Sequence, residues 1–286
     1  MTISFLCQDY NKSSRGVETY VKELSAHLIS LGHEVKVYKN IFDNVDPNTQ
    51  ILINTNGRLD AILSRLWCWV HKACLIISGQ SGIGWDDKLN LWVFPDIFVG
   101  LTDYQCRWAR SINPFVRIEK IPNGVDLEKF NPNVKPAKIN KKPPVILDVG
   151  VVDDFKRQYL LKRASRYSIL LVGKGGDMEC RHEDMPGIYT ACDLFSYPTS
   201  ERESFGIAVL EAMASGLAVV ATDDPIRREI VGDAGLFVDP QNTKKYSEKL
   251  AQAIKTDWGD RPRKQAEKYS WIGIAKKYDS LCRHNR

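Results

Sequence analysis

Two hydrophobic patterns alternate along the chain. Short apolar runs read as strands, and longer stretches with apolar residues three or four apart read as helices. Residues 2–7 form the first such strand, and the polar stretch from Gln8 to Gly16 reads as a loop. Val17, Tyr20, Val21, Leu24, Leu28 and Leu31 then recur at helical spacing; Gly32 closes the helix, and Glu34 to Tyr38 alternates as a strand. This is a βαβ unit whose first turn carries Gly16 near a helix start, where free backbone N–H groups can receive an anion. A strand at 51–53, a helix near 58–72 and a strand at 74–78 follow. The glycine-rich loop Ser78-Gly79-Gln80-Ser81-Gly82-Ile83-Gly84 comes directly after. Phe94 to Thr102 reads as a turn and strand leading into a polar helix that holds Arg107 and Arg110. The alternation predicts a mostly parallel α/β sheet.

The pattern breaks at residues 131–144, which are rich in Pro, Lys and Asn and read as an interdomain linker. It restarts with a strand at Val145–Gly150, a helix near 157–166, a strand at Ser168–Val172 and a glycine loop at 173–176. A strand at Asp193–Tyr197, a helix near 205–215 and a strand at Ala218–Ala221 come next, and two helical stretches after Asp239-Pro240 finish the chain. The expected organisation is an N-terminal Rossmann-like domain over 1–130, the linker over 131–144 and a second Rossmann-like domain over 145–268.

Composition narrows the function classes. At 43% hydrophobic and 26% charged residues the chain is not disordered. A net charge of +5, spread along the chain, suits phosphate ligands or an anionic membrane surface and is too weak for nucleic acid. The seven cysteines form no Cys-x-x-Cys pair and several sit in apolar runs, so they read as buried thiols of a cytoplasmic protein. Met1 to Leu6 reads as a strand without a basic start or cleavage site, and no apolar run is long enough to span a bilayer.

The stretch from Tyr197 to Gly216 concentrates the chemistry. A strand ends at Tyr197 and a helix starts near Phe205, so Glu203 falls in the loop at the strand's carboxyl edge, where open α/β sheets bind ligands. Glu211 lies about two turns into the helix. The N–H groups around Phe205, Gly206 and Ile207 suit a phosphate, and carboxylates accept strong hydrogen bonds from sugar or ribose hydroxyls.

The Glu203-x7-Glu211 spacing with Phe205-Gly206 between resembles the donor motif of glycosyltransferase family 4, a GT-B group. Other segments are similar to that family in its order: Arg15 to Leu24, Gly32 to Val35, Ile121 to Phe130, Leu170 to Gly175, Asp193 to Thr199, Gly216 to Thr222 and Gly235 to Pro240. The resemblance implies the GT-B α/β fold, two Rossmann-like domains with a cleft between them, and a C-terminal helix over 269–286 that crosses back to the N-terminal domain. It implies a retaining glycosyltransferase that needs no metal or other cofactor, with a nucleotide diphosphate sugar and a hydroxyl acceptor as its partners. Glu211 would hold the ribose hydroxyls and Glu203 the hydroxyls of the transferred sugar. Ser204, Ile207 and the backbone of Phe205 and Gly206 would flank the sugar and distal phosphate, with Gly173 on the nucleotide side. Lys156 or Arg157 would neutralise the diphosphate. Gly16, Gln80 and Asn123 would line the acceptor side, and Asp86-Asp87 are further polar candidates there.

The chain departs from the family at three points. Val151 stands where an arginine is usual, and the loop Ser78 to Gly82 holds no histidine. The segment Asp177–Ile188 is also short for the helix and strand expected there. A non-catalytic nucleotide-sugar binder and another nucleotide-sugar enzyme on the same fold therefore stay open. The aromatic run Leu66-Trp67-Cys68-Trp69-Val70 reads as core packing or, if exposed, as peripheral contact with the inner face of a membrane.

Overall fold

The short apolar runs become parallel strands because both of their faces are covered. In the computed structural model, which describes residues 1–8, 10, 16–200 and 203–284, they build two sheets. Arg15, Glu201 and Arg202, parts of the motif segments above, lie outside the described residues. So does most of the stretch between Gln8 and Gly16.

One compact unit comprises Met1–Gly124 and Trp271–Arg286, and the other Val125–Ser270. The first runs β1 (Thr2–Leu6), α1 (Gly16–Ser30), β2 (Glu34–Tyr38), β3 (Ile51–Asn54), α2 (Leu59–His71), β4 (Cys74–Ser78), α3 (Trp85–Trp92), β5 (Ile97–Gly100), α4 (Asp103–Ile112) and β6 (Arg117–Lys120). The second runs β7 (Val145–Val149), α5 (Gln158–Ala164), β8 (Ser168–Val172), α6 (Met185–Thr190), β9 (Leu194–Tyr197), α7 (Ile207–Ala214) and β10 (Val219–Thr222). It continues with α8 (Pro225–Val231), β11 (Gly235–Val238), α9 (Thr243–Lys255) and α10 (Arg261–Glu267). The last helix, α11 (Trp271–Arg283), belongs to the first unit, where it packs against α1.

The first sheet has the order β2-β1-β3-β4-β5-β6, and every described pairing is parallel. Alternate side chains sort to opposite faces. Ile3, Phe5, Ile51, Ile53, Ile76, Ile97 and Val99 join α1 and α11 in one cluster. Leu6, Leu52, Leu75, Ile77 and Phe98 join α2 and α4 in the other. Burial on both faces explains why these strands read as continuous apolar runs. The second sheet, β11-β10-β9-β7-β8, is likewise parallel. Ile146, Leu171, Leu194 and Val220 meet α5 and α9 on one of its faces.

Several expectations need correcting. The segment 131–144 is not a spacer between the units: it packs within the second, where Ala137 N donates to Gly187 O at 2.8 Å. The units divide at Gly124 and Val125, and Val125 N bonds Tyr269 O, which keeps residues 269–270 in the second unit. Among the described residues three helices, not two, follow Asp239-Pro240. The third, α10, escaped notice because Pro262 and Ala266 are its only apolar residues. Helices α3, α6 and α8 are short, and β6 reads Arg-Ile-Glu-Lys, an edge strand with too little apolar content to show alternation.

Candidate functional site

In the second unit the chain leaves β7 for β8 on one side and returns to β9 on the other. The crevice beyond the carboxyl ends of β7 and β9 is thus a point of strand reversal, the usual ligand position in open parallel sheets. Lys156, after β7, and Glu203, after β9, meet there: Lys156 Nζ lies 2.5 Å from Glu203 Oε2 and donates to Tyr197 Oη at 3.1 Å. Burial lowers the Lys156 pKa, but Tyr197 and Glu203 together outweigh it and hold the ammonium above its ordinary value. The Tyr197 phenol is raised, by burial first and by the Glu203 charge second. The site therefore keeps a protonated lysine at neutral pH.

Arg157 does something different. Its Nε donates to Pro198 O at 2.8 Å, and its Nη2 reaches the Thr199 carbonyl and the Thr222 hydroxyl. These bonds brace the loop after β9. Of the two cations read as diphosphate ligands, Lys156 is the one brought to Glu203.

The loop is also held from behind by Arg227, which is fully buried. Its Nη1 donates to Glu203 O at 2.7 Å, and its guanidinium pairs with Asp224 Oδ2 at 2.6 Å. Asp224 in turn caps α8 through the N–H groups of Ile226 and Arg227. No sequence pattern pointed to Arg227, since the Arg227-Arg228 pair in a short helix reads as surface.

Helix α7 starts at Ile207 rather than Phe205. Gly206 precedes it with φ 98°, and a Cβ there would approach the Tyr197 ring to 2.8 Å. Only glycine lets the chain turn so close to Tyr197. Gly206 supplies no side-chain cap, so the leading N–H groups of α7 are open to an anion. Phe205 buries its ring edge-on against Tyr269, which leaves only its backbone for a ligand, while Ser204 and Ile207 are half-buried beside it.

Glu211 is 6% exposed and both of its oxygens are engaged. His182 Nε2 lies 2.7 Å from Oε1, and Tyr189 Oη donates to Oε2 at 2.8 Å. Lys129 Nζ lies 2.9 Å from His182 Nδ1. An ammonium can only donate, so Nδ1 accepts and Nε2 carries the proton given to Glu211. Burial, then the Glu211 charge, keeps the Tyr189 phenol protonated as a donor. His182, Tyr189 and Lys129 were missed by sequence reasoning. His182 and Tyr189 fall in the abbreviated segment before β9 and in α6, which carries no strong periodicity.

The other expected residues lie elsewhere. Gly173 (φ 136°) brings β8's exit against the Gly150 carbonyl, where a Cβ would collide. Val151, in place of the expected arginine, is half exposed. In the first unit Gln80 and Asn123 are buried and bonded reciprocally, amide to amide, at 3.1 and 3.0 Å. They close on each other rather than facing a ligand. Asp87 is buried against Asn90 and Gln105, and burial pushes its carboxyl up to about 7. Gly16 begins α1 and is exposed. Among the described residues no group of three or more His, Cys, Asp or Glu is placed to hold a metal ion, and no helix is long and apolar enough to cross a membrane.

Residues 178–270, which contain Glu203, Glu211, His182 and Tyr189, match the model of the glycosyl transferases group 1 family. Among curated proteins, O-antigen chain mannosyltransferase B of Escherichia coli is 39% identical over 94 residues, 31% of this chain and 24% of that protein. The phosphatidyl-myo-inositol mannosyltransferase of Mycolicibacterium smegmatis is 27% identical over 210 residues, 62% of this chain and 54% of that protein. The chain thus spans at most about half the length of these relatives. A solved glycosyltransferase from Rickettsia africae superposes with a TM-score of 0.79 at 17% identity, covering 99% of this chain and 98% of that one. Anabaena Alr3699/HepE, solved with UDP-glucose, gives 0.77 at 14% identity, covering 98% and 99%. The fold is therefore the α/β architecture of the GT-B glycosyltransferases, built from two Rossmann-like units.

Proposed function

We propose that the chain is a glycosyltransferase that moves a sugar from a nucleoside diphosphate sugar to a hydroxyl acceptor, with retention at the anomeric carbon and without a metal. The observation that carries this reading is the Lys156–Glu203 pair, set at the point of strand reversal beside the uncapped start of α7. Glu211 takes the ribose hydroxyls on lone pairs left by His182 and Tyr189. Glu203 takes hydroxyls of the transferred sugar. Lys156 and the N–H groups of Ile207 and Ala208 neutralise the departing diphosphate, where negative charge grows as the bond breaks.

The bond from the anomeric carbon to the phosphate oxygen breaks, and the acceptor oxygen bonds to that carbon on the same face. The acceptor proton passes to the departing phosphate oxygen. No protein nucleophile takes part, and a Glu203 carboxylate paired at 2.5 Å with an ammonium is a poor one. The test is release of nucleoside diphosphate from a panel of UDP-, GDP- and ADP-sugars with EDTA present. Turnover that survives EDTA and needs about 10–100-fold more donor in Glu211→Ala supports the reading. Nucleotide binding without turnover of any acceptor returns the chain to a non-catalytic binder.

The reading includes peripheral contact with the cytoplasmic face of a membrane. Leu59, Ile62, Leu66, Trp69 and Val70 are exposed along one side of α2, with Trp69 63% exposed. Trp67 is instead half-buried and stacked on His71 at 4.1 Å. An apolar helix side ending in an exposed tryptophan suits a lipid interface. Sedimentation with anionic vesicles checks it: Trp69→Ser should release the protein, and no sedimentation of the unaltered chain removes the idea.

A further inference from the structure

The first unit has its own point of strand reversal. The chain leaves β1 for β2 on one side and returns to β3 on the other. Gln8 N, just after β1, donates to Asn56 Oδ1, just after β3, at 2.8 Å across that gap. A cavity of about 500 Å³ opens there, within the size range of small-molecule sites. Of the acceptor-side residues expected from the sequence, Asp86 lines it, and Gly16, Gln80, Asp87 and Asn123 do not.

The lining is built for hydroxyl groups. Asn56 is fixed by donating to Lys39 O and Asp60 Oδ2, each at 2.8 Å, and forms a rigid floor. The side chain of Gln8 and Nδ2 of Asn40 make no hydrogen bond with the described residues, and both amide types match hydroxyls as donor and acceptor. Arg58 Nε bonds Asp86 Oδ1 at 2.8 Å, which leaves Nη1 unused among the described residues. Its backbone sits at φ 62°, ψ −127°, a conformation that favours glycine, so an arginine there carries strain of the kind retained at ligand sites. The Phe42 ring stands on the wall, 74% exposed.

We propose that this cavity binds the acceptor, and that the acceptor is a neutral sugar or similar polyol that lays an apolar ring face on Phe42. The role of acceptor rests on the sugar-transfer reading; the ligand class rests on the cavity. Charge argues against a phosphorylated ligand: Arg58 is already bonded to Asp86, and Asp60 adds a second carboxylate. An acyl chain is disfavoured because apolar side chains in the lining are confined to Phe42, Leu59 and Leu63.

The experiment is saturation-transfer NMR on the full chain with methyl glycosides of glucose, mannose, galactose and N-acetylglucosamine. Glucose 6-phosphate, the matching octyl glycosides and UDP are run beside them. At least one methyl or octyl glycoside should bind, and Phe42→Ala should weaken it about tenfold, roughly 1.4 kcal/mol. Arg58→Gly should weaken it similarly while raising Tm, because glycine relieves the strained backbone; a merely structural arginine would not separate the two readouts. UDP binding should be unchanged in both variants. Equal binding of methyl and octyl glycosides identifies a free sugar, and a preference for the octyl form identifies a lipid-borne headgroup. The proposal is overturned if no glycoside binds, if glucose 6-phosphate binds in preference, or if both variants bind as the unaltered chain does. Glycoside binding without UDP binding would sink the sugar-transfer reading and leave the sugar site. UDP binding with glycosides bound elsewhere would do the reverse.

Discussion

Lys156 Nζ lies 2.5 Å from Glu203 Oε2 across 47 residues of sequence, bridging the loops that leave β7 and β9. The pair joins a cation suited to a leaving diphosphate with a carboxylate suited to sugar hydroxyls, each orienting the other. Lys156→Met should therefore lower kcat by about 10²–10³-fold, as loss of one electrostatic donor to a developing charge does. Lys156→Arg should recover part of that, since the charge returns in a different shape. Steady-state kinetics with saturating donor checks both. A Lys156→Met enzyme with unaltered kcat would remove the lysine from the mechanism.

Glu211 makes a different kind of prediction, because its work is binding. Glu211→Ala should raise the donor KM, and the UDP Kd by calorimetry, about 10–100-fold, as loss of charged hydrogen bonds worth roughly 1.5–3 kcal/mol implies. His182→Gln can still donate to Glu211 and accept from Lys129, so it should bind UDP nearly as the unaltered chain does. His182→Ala should fall part of the way toward Glu211→Ala. Equal loss in the alanine and glutamine variants would show that His182 acts through packing alone.

Much of the fold was legible because buried parallel strands are short apolar runs bounded by turns, and β1, β4, β7, β8 and β9 all have that form. The edge strand β6 was not, since three of its four residues are polar or charged. Glu203 and Glu211 were legible from spacing around Phe205-Gly206. Their partners were not, because Lys129, His182, Tyr189 and Arg227 reach them through tertiary contacts that leave no local period. Gln80 and Asn123 illustrate the opposite case: both sit in loops where polar residues suggest a ligand, and each is satisfied by the other.

Arg227 supports Glu203 from behind, and its removal should be felt twice. Arg227→Met leaves Asp224 without its buried partner and frees the carbonyls of Ser200 and Glu203. Loss of one member of a buried pair costs about 3 kcal/mol. Urea unfolding should show that loss, and kcat should fall in the fraction that stays folded. A variant of unchanged stability would mean that water replaces the guanidinium at no cost.

Asp148, on β7, has a buried carboxyl whose Oδ2 lacks a hydrogen-bond partner among the described residues. Burial raises its pKa to about 7, against smaller opposing effects of Lys156 and Gln158. An unfolded aspartate titrates near 3.9. Between those values the native state holds a proton that the unfolded state has released, so stability falls as pH rises toward 7. Above that range the folded protein carries a buried, poorly solvated carboxylate. Asp148→Asn keeps the shape and removes the charge. Its stabilising effect should already be about 1.5 kcal/mol at pH 5, about one unit above the unfolded value, and should grow to roughly 4 kcal/mol at pH 8. Asp87 titrates in the same range but is common to both proteins, so it cancels in the comparison. Urea unfolding at the two pH values decides the matter: a difference between the proteins that does not grow from pH 5 to pH 8 would mean that Asp148 is ionised, and tolerated, throughout.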